Sequence, residues 1–382
     1  MNTFDIQAIQ DIETPFYYYN LQVLHKTLYQ VKKEADKHKF NIHYAIKANH
    51  NSKILSIIQE YGLGVDCVSG LEIERAIENK FTPDKILFAG VGKTDQEIQL
   101  ALEKNILCFN VESIEELSVI GMWAKKMNRT ARIALRINPN IKANTHPNII
   151  TGVEGNKFGI YANDIPKALK LIEGDKHLIL NGIHFHIGSQ IIDLEVYKEL
   201  CLSINKWNKW FLDKGYTLPI LNVGGGLGIN YKEPDKETIP DFKSFFDIFA
   251  QYLFVADHQK VHFELGRSLV GNCGSLIARV LYIKEGKSKK FAILDAGMTE
   301  LLRPALYQAF HKIEKVTEPY LPVEPYDIVG PICESSDYFG KSVNLPQLKR
   351  GDLIAIRSTG AYGEVMSSRY NLRKEFGYYY KK

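Results

Sequence analysis

From Phe40 to Arg267 the chain repeats one pattern: a short apolar run, a polar break, then an amphipathic segment at helical spacing. The apolar runs read NIHYAIKAN, GVDCVS, KILFAG, ILCFNV, RIALRINP, LILNGIHFHIG, ILNVGGG and VHFELGR. Between them lie helical segments such as SKILSIIQEYG, LEIERAIENK, TDQEIQLALEKN, SIEELSVIGMWAKKM and VYKELCLSINKWNKWFLDKG. Parallel strands need a connection that carries the chain back along the sheet. A helix is the usual one, so this alternation specifies parallel βα units. Eight of them within about 230 residues match a closed (β/α)8 barrel of the TIM type. The structural rival is an open doubly wound sheet, which ordinarily stops at about five or six strands.

After Arg267 the rhythm changes. SLIARVLYIKEG, KKFAILDAG, YDIVGPICE and DLIAIRSTGAYG are short, β-rich and separated by turn residues, and PALYQAFHKI is the one stretch there with helical character. Such spacing is that of a separate antiparallel β domain. TPFYYYN near the N-terminus is a further strand, preceding the first barrel unit. The expected organisation is an α/β chain with three parts. A strand segment over 1–29 joins the C-terminal domain, a barrel covers 30–267, and the antiparallel β domain covers 268–382. The closing YYYKK has no reading of its own.

Bulk properties remove several function classes. Net charge is +4, from 48 basic and 44 acidic residues among 382, with no dense basic run, which argues against nucleic acid as a partner. The opening MNTFDIQAIQDIETPF has neither a basic leader nor an apolar core, so it is not a secretory signal. No apolar stretch approaches the roughly 18 residues of a membrane helix. The five cysteines are scattered and form no C-x-x-C pair, which argues against a disulfide framework or zinc knuckle. A reduced, soluble, cytoplasmic protein is expected.

Barrel enzymes carry their chemistry at the C-terminal ends of the strands. Polar residues interrupt the apolar runs there in nearly every unit. Lys47 ends the first; Asp66 and Ser69 end the second; Arg136 and Asn138 the fifth; His186 and Ser189 the sixth. Gly224, Gly225 and Gly226 end the seventh, and Glu264 and Arg267 the eighth. Lys47 is either a snorkelling surface lysine or an amine whose desolvation frees it to condense with an aldehyde.

GGGLG does not fit G-x-G-x-x-G, since residue 229 is Ile. Its glycines either build a tight turn or let backbone N–H groups approach a phosphate. His184 and His186 alternate along one run and so face one side. A metal pair is conceivable, but the other strand ends offer glycines and arginines, not further ligands. His186 suits stacking on an aromatic cofactor, and His184 a place in the core. Glu264 could form a surface pair with Arg267, or face a ring nitrogen and keep it protonated. Cys333 is core filler by the usual behaviour of free cysteines, yet Glu334, Ser335, Ser336 and Asp337 make its segment a polar loop.

Taken together, YAIKAN, GVDCVSG, FHIGSQ, NVGGGLGI, ELGR, DAGMTELLRPALY, GPICES and GAYG occur in the order in which they stand in one known group. From TPFYYYN to SSRYN the chain resembles the diaminopimelate decarboxylases. These are fold-type III pyridoxal 5'-phosphate (PLP) enzymes, whose fold is shared by alanine racemase and eukaryotic ornithine decarboxylase. The resemblance implies PLP carried on Lys47, with Asp66, His186, Ser189, Glu264 and Tyr362 around it. His186 would pack on the ring, and Glu264 would pair with its nitrogen. The backbone of Gly224, Gly225, Gly226 and of Glu264, Leu265, Gly266 and Arg267 would hold the phosphate.

The same resemblance makes Cys333 the proton donor after CO2 leaves. Arg267, Arg303, Tyr307, Glu334 and Tyr362 would grip the substrate. The implied reaction takes meso-2,6-diaminopimelate to L-lysine and CO2 at the D-centre, the last step of lysine biosynthesis. The implied assembly is a homodimer whose active sites are shared. Diaminopimelate differs from ornithine or lysine by a distal carboxylate, which an arginine such as Arg303 can pair, with Glu334 for the neighbouring ammonium. Two other readings stay open: a decarboxylase of ornithine, arginine or carboxynorspermidine, and a cofactor-free binding protein of this fold. Leu265, where the family often has proline, and Arg357 to Thr359, where Asp-Ala-Gly is common, are expected to alter loop rigidity and not chemistry.

Overall fold

The computed structural model describes residues 4–141, 156–316 and 321–382. The chain divides into two compact units. One holds Leu28–Gly228 and Asp241–Gly266; the other holds Met1–Thr27, Ile229–Pro240 and Arg267–Lys382. Residues 229–240, which the sequence reading kept inside the barrel span, therefore group with the β unit. No helix among the described residues is long and apolar enough to cross a membrane.

Strand β1 (Phe16–Asn20) belongs to the β unit. In the barrel unit, eight parallel strands close on themselves. They are β2 (Asn41–Ala45), β3 (Gly64–Cys67), β4 (Ile86–Phe88), β5 (Cys108–Val111), β6 (Ala131–Arg136), β7 (Leu178–His184), β8 (Ile220–Gly225) and β9 (Lys260–Leu265). Closure is made by β2, whose Tyr44 sits beside Val65 on one side and Leu265 on the other. Local chemistry starts five of the helices where the strand-to-helix turn ends. Asn51, Ser69, Thr94, Ser113 and Asp241 each accept a backbone N–H in the first turn of the helix that follows, and Thr94 with Glu97 forms a full capping box. Apolar stripes on these helices cover the barrel wall. At the last helix Phe245, Phe246 and Phe249 all pack on Phe263 of β9, with ring centroids 4.8–5.6 Å apart.

The β unit contains β10 (Gly274–Glu285), β11 (Lys290–Leu294), β12 (Ile313–Lys315), β13 (Val323–Val329), β14 (Tyr338–Pro346), β15 (Leu353–Arg357) and β16 (Gly377–Lys381). Its sheet runs β12-β15-β10-β11-β13-β14, with β1 joined to β10 and β16 joined to β1. It is mixed, not wholly antiparallel as the sequence suggested: β11 pairs parallel with β13, and β1 parallel with β16. The reason is connection length. The chain between β11 and β13 passes through a short helix and β12, long enough for a crossover, and β1 and β16 come from opposite ends of the sequence. The helical promise of PALYQAFHKI is met only over Arg303–Tyr307; Gln308 turns left-handed at φ +51° and stops it, and Ile313 already begins β12.

Candidate active site

Two groups of polar residues stand out, one in each unit. In the barrel, β2 stops at Ala45 and Lys47 occupies a single 3-10 turn, Ile46–Ala48, instead of ending the strand. Its amine lies 2.9 Å from Asp66 Oδ2 on β3. Asp66 is fully buried, and its other oxygen has no hydrogen-bond partner among the described residues. Burial first, and then the nearby charge of Glu264, push the Asp66 carboxyl up to about 6, against the lowering pull of Lys47.

Glu264, near the end of β9, is a buried carboxylate with partners on both oxygens. Oε1 accepts from the amides of Asn110 at 2.9 Å and Asn222 at 2.7 Å, and Oε2 lies 3.1 Å from His184 Nε2. Burial opposes its ionisation, but the hydrogen bond and charge of His184, with Lys47 behind them, win and hold it well below the usual carboxylate range. A carboxylate takes about four donors, so three leave room for one more. His184 is thus a partner of Glu264, while β7 ends at His184 and leaves His186 beyond the strand.

His186 Nδ1 receives the N–H of Gly225 at 3.3 Å, which fixes the ring as the Nε2–H tautomer. Burial, with Arg136 and Lys47 adding to it, pushes this imidazole well below its usual range, so it is neutral. Gly224 donates to Asn222 Oδ1 at 2.9 Å and has φ +72°; Gly226 has φ +103°. At Gly225 a Cβ would sit 1.8 Å from the Glu264 carbonyl oxygen. Backbone geometry alone therefore demands all three glycines. Of their N–H groups, those of Gly224 and Gly225 are committed internally, and that of Gly226 has no side-chain acceptor among the described residues.

Other rim residues have structural employment. Ser69 caps the helix Gly70–Glu78. Asn138 Oδ1 accepts the N–H of Asn140. Arg136 pairs with Glu112 at 2.7 Å, and Glu112 also accepts the N–H groups of Gly90 and Gly159. Ser189 lies half-buried on the loop after β7, and Leu265 and Gly266 are buried where β9 ends. The donor set at this end of the barrel fits PLP by its chemistry. It offers a primary amine, a buried carboxylate with capacity for a ring N–H, a neutral and partly open imidazole, and the backbone N–H of Gly226.

In the β unit the structure brings together Arg267, Arg303 and Tyr362 around a residue absent from the sequence reading, Tyr231. The Arg303 guanidinium lies 4.7 Å from the Tyr231 ring centroid; that of Arg267 lies 4.7 Å from Tyr362 and bonds the Tyr231 hydroxyl. Tyr307, at the end of the Arg303 helix, is half-buried. Cys333 and Glu334 sit exposed between β13 and β14, and their hydrogen bonds run to Asn371 and Tyr370, not to Arg303. Buried Asp337 fastens this loop by accepting the N–H groups of Ile332 and Met298. The Arg357 to Thr359 segment is bound in place: Arg357 pairs with Asp235 at 2.8 Å, and Thr359 donates to the Gly274 carbonyl. Asn110, Asn222, Tyr231 and His311 escaped the sequence reading; for the two asparagines a polar residue inside an apolar strand was the available signal.

Comparison with known proteins agrees with this chemistry. The pyridoxal-binding domain of the pyridoxal-dependent decarboxylases matches residues 21–271. The diaminopimelate decarboxylase of Bacteroides thetaiotaomicron is 52% identical over 372 residues, 97% of this chain and 96% of that one. That of Helicobacter pylori, in a crystal structure complexed with L-lysine, matches with a TM-score of 0.92 at 41% identity over 98% of this chain and 93% of the other. The arginine decarboxylase of Paramecium bursaria Chlorella virus, bound to agmatine, is 21% identical with a TM-score of 0.86 and shares the fold alone. By the domain it carries and by an identity that runs along nearly its whole length, the chain belongs to the diaminopimelate decarboxylases, a family of pyridoxal-dependent decarboxylases.

Proposed function

We propose that the chain releases CO2 from meso-2,6-diaminopimelate to give L-lysine, with PLP held at Lys47. The observation that carries this reading is the Lys47 amine against buried Asp66, in the same barrel as a Glu264 kept ionised by two amides and His184. PLP, when bound, supplies an aldehyde for amines and a ring that draws electrons from the carbon losing CO2. Lys47 is the amine that would hold it, and the Asp66 carboxyl lies within hydrogen-bond reach of Nζ. Glu264 would accept the ring N–H and, staying ionised, keep that proton in place. His186 would offer a flat, neutral face, and Gly226 its N–H to the phosphate. Arg303 would pair with the distal carboxylate of the substrate and Glu334 with its ammonium. Cys333 Sγ would give a proton to the carbon that has lost CO2.

A homodimer in which the Cys333–Glu334 segment serves the partner's site belongs to the same proposal. The test is product analysis with PLP-loaded protein on meso-diaminopimelate, its L,L isomer, ornithine and arginine. Lysine and CO2 are expected from the meso isomer alone, and Lys47→Ala removes both the visible absorbance of bound PLP and turnover. Preferred release from ornithine or arginine, or a coloured and active Lys47→Ala protein, would overturn the reading.

A further inference from the structure

Arg303 is buried, 5% exposed, yet no carboxylate pairs with it among the described residues. A guanidinium out of water ordinarily finds an anion, because leaving its charge uncompensated is costly. Here one of its N–H groups, on Nη1, meets His311 Nε2 at 2.7 Å. The other ring nitrogen, Nδ1, lies 2.8 Å from the backbone carbonyl of Arg357, which can only accept. Nδ1 therefore carries the hydrogen, and Nε2 is a bare lone pair facing Arg303. Burial, and then the charge of Arg303, push the His311 imidazole well below its usual range. The ring of His311 stands edge-on to Tyr231 at 5.0 Å, and Tyr231 faces the same guanidinium. His311 and Tyr231 both present electron density to the Arg303 guanidinium, Arg267 nearby adds a like charge, and no anion among the described residues neutralises it.

We infer that His311 is a positioning residue that orients the Arg303 guanidinium while leaving its charge for a carboxylate of the substrate. This rests on the reading of Arg303 as the receiver of the distal carboxylate. A glutamate in the same place would orient the guanidinium equally well, but would occupy it with a charge that competes with the substrate. Imidazole in this tautomer is the neutral alternative, and a glutamine side chain can present its carbonyl oxygen in the same role.

The inference is tested with PLP-loaded full-length His311→Glu, His311→Gln and Arg303→Ala, reading KM and kcat for meso-diaminopimelate separately. His311→Glu is expected to raise KM about tenfold or more with kcat within about threefold of wild type. His311→Gln is expected to return KM to within about threefold. If His311→Glu does not fold, the wild-type protein still decides, since nitrogen-15 histidine NMR must find His311 neutral with hydrogen on Nδ1. An unchanged KM in His311→Glu, a loss confined to kcat, a His311→Gln variant as impaired as His311→Glu, or an Nε2–H or cationic ring overturns the inference. If Arg303→Ala also leaves KM unchanged, the reading of Arg303 falls with it; if Arg303→Ala raises KM and His311→Glu does not, only the role of His311 falls.

Discussion

Asp66 and Glu264 lie in one barrel, both buried, and their surroundings drive them in opposite directions. Asp66 has one amine and an empty oxygen, so burial prevails; Glu264 has three donors, so its charged form prevails. Separation of this kind leaves Asp66 the readier of the two to take up a proton and Glu264 the more firmly ionised. Burial in the barrel also favours the neutral form of two further imidazoles, His43 and His262. His43 Nδ1 bonds the Lys85 carbonyl at 3.2 Å, and His43 Nε2 meets His262 Nδ1 at 2.8 Å. Burial lowers His43 from 6.5 to about 4, and His262 falls well below its usual value. Because the unfolded chain takes the proton first, the stability tied to His43 is complete above its unfolded value and is lost as pH falls toward 4. Between about pH 7.5 and about pH 5 this amounts to about 2 kcal/mol. Asp66 and Glu72 are raised, to about 6 and about 7, and act with the opposite sign, so a single melting curve mixes the two. The clean readout is a difference: on acidification the melting temperature of wild type should fall by several degrees more than that of His43→Gln. Equal falls in the two proteins would remove the neutral imidazole from the account.

At the scale of elements, the C-terminal strand is the surprise. β16 lies parallel to β1, and tyrosine stacks on tyrosine across the pair, Tyr18 on Tyr379 at 5.4 Å and Tyr19 on Tyr380 at 5.8 Å. Deleting residues 377–382 bares the edge of β1 and one face of this stack. Two aromatic pairs and a ladder are together worth about 2–4 kcal/mol, so the melting temperature should drop by about 2–5 °C. An exposed β1 should also promote association on a sizing column. A truncated protein that melts like the full chain would make β16 an ornament.

The same strand shows what a sequence hides. The βα alternation was legible because helical and strand periods are local and five of the helices begin at their own side-chain cap. The pairing of β16 with β1 was not, since nothing near YYYKK names a partner more than 350 residues away. At the site, Lys47, Asp66 and Glu264 were legible as polar residues interrupting apolar runs, whereas Tyr231 and His311 look like ordinary aromatics until the fold sets them against Arg303.

For the whole molecule, the open question is whether one chain makes a complete site. Cys333 and Glu334 sit on the surface of the β unit, and Cys333 is tied to Asn371, whose neighbour Leu372 is 91% exposed. A thiol with the role proposed for Cys333 is poorly served by bulk water, and an apolar side chain as open as Leu372 suits coverage by a second copy. Under the proposed dimer, each site takes Lys47 from one chain and Cys333 from the other. Lys47→Ala and Cys333→Ala homodimers are then both inactive, but a mixed dimer has one site with both residues wild type. Random reassociation of equal amounts makes half the dimers mixed, and each mixed dimer carries one working site of two. Activity should therefore return to about a quarter of wild type after the two proteins are dissociated together and reassembled. Sites built within single chains would give no recovery at any mixing ratio, because every Lys47→Ala chain would lack its amine and every Cys333→Ala chain its thiol.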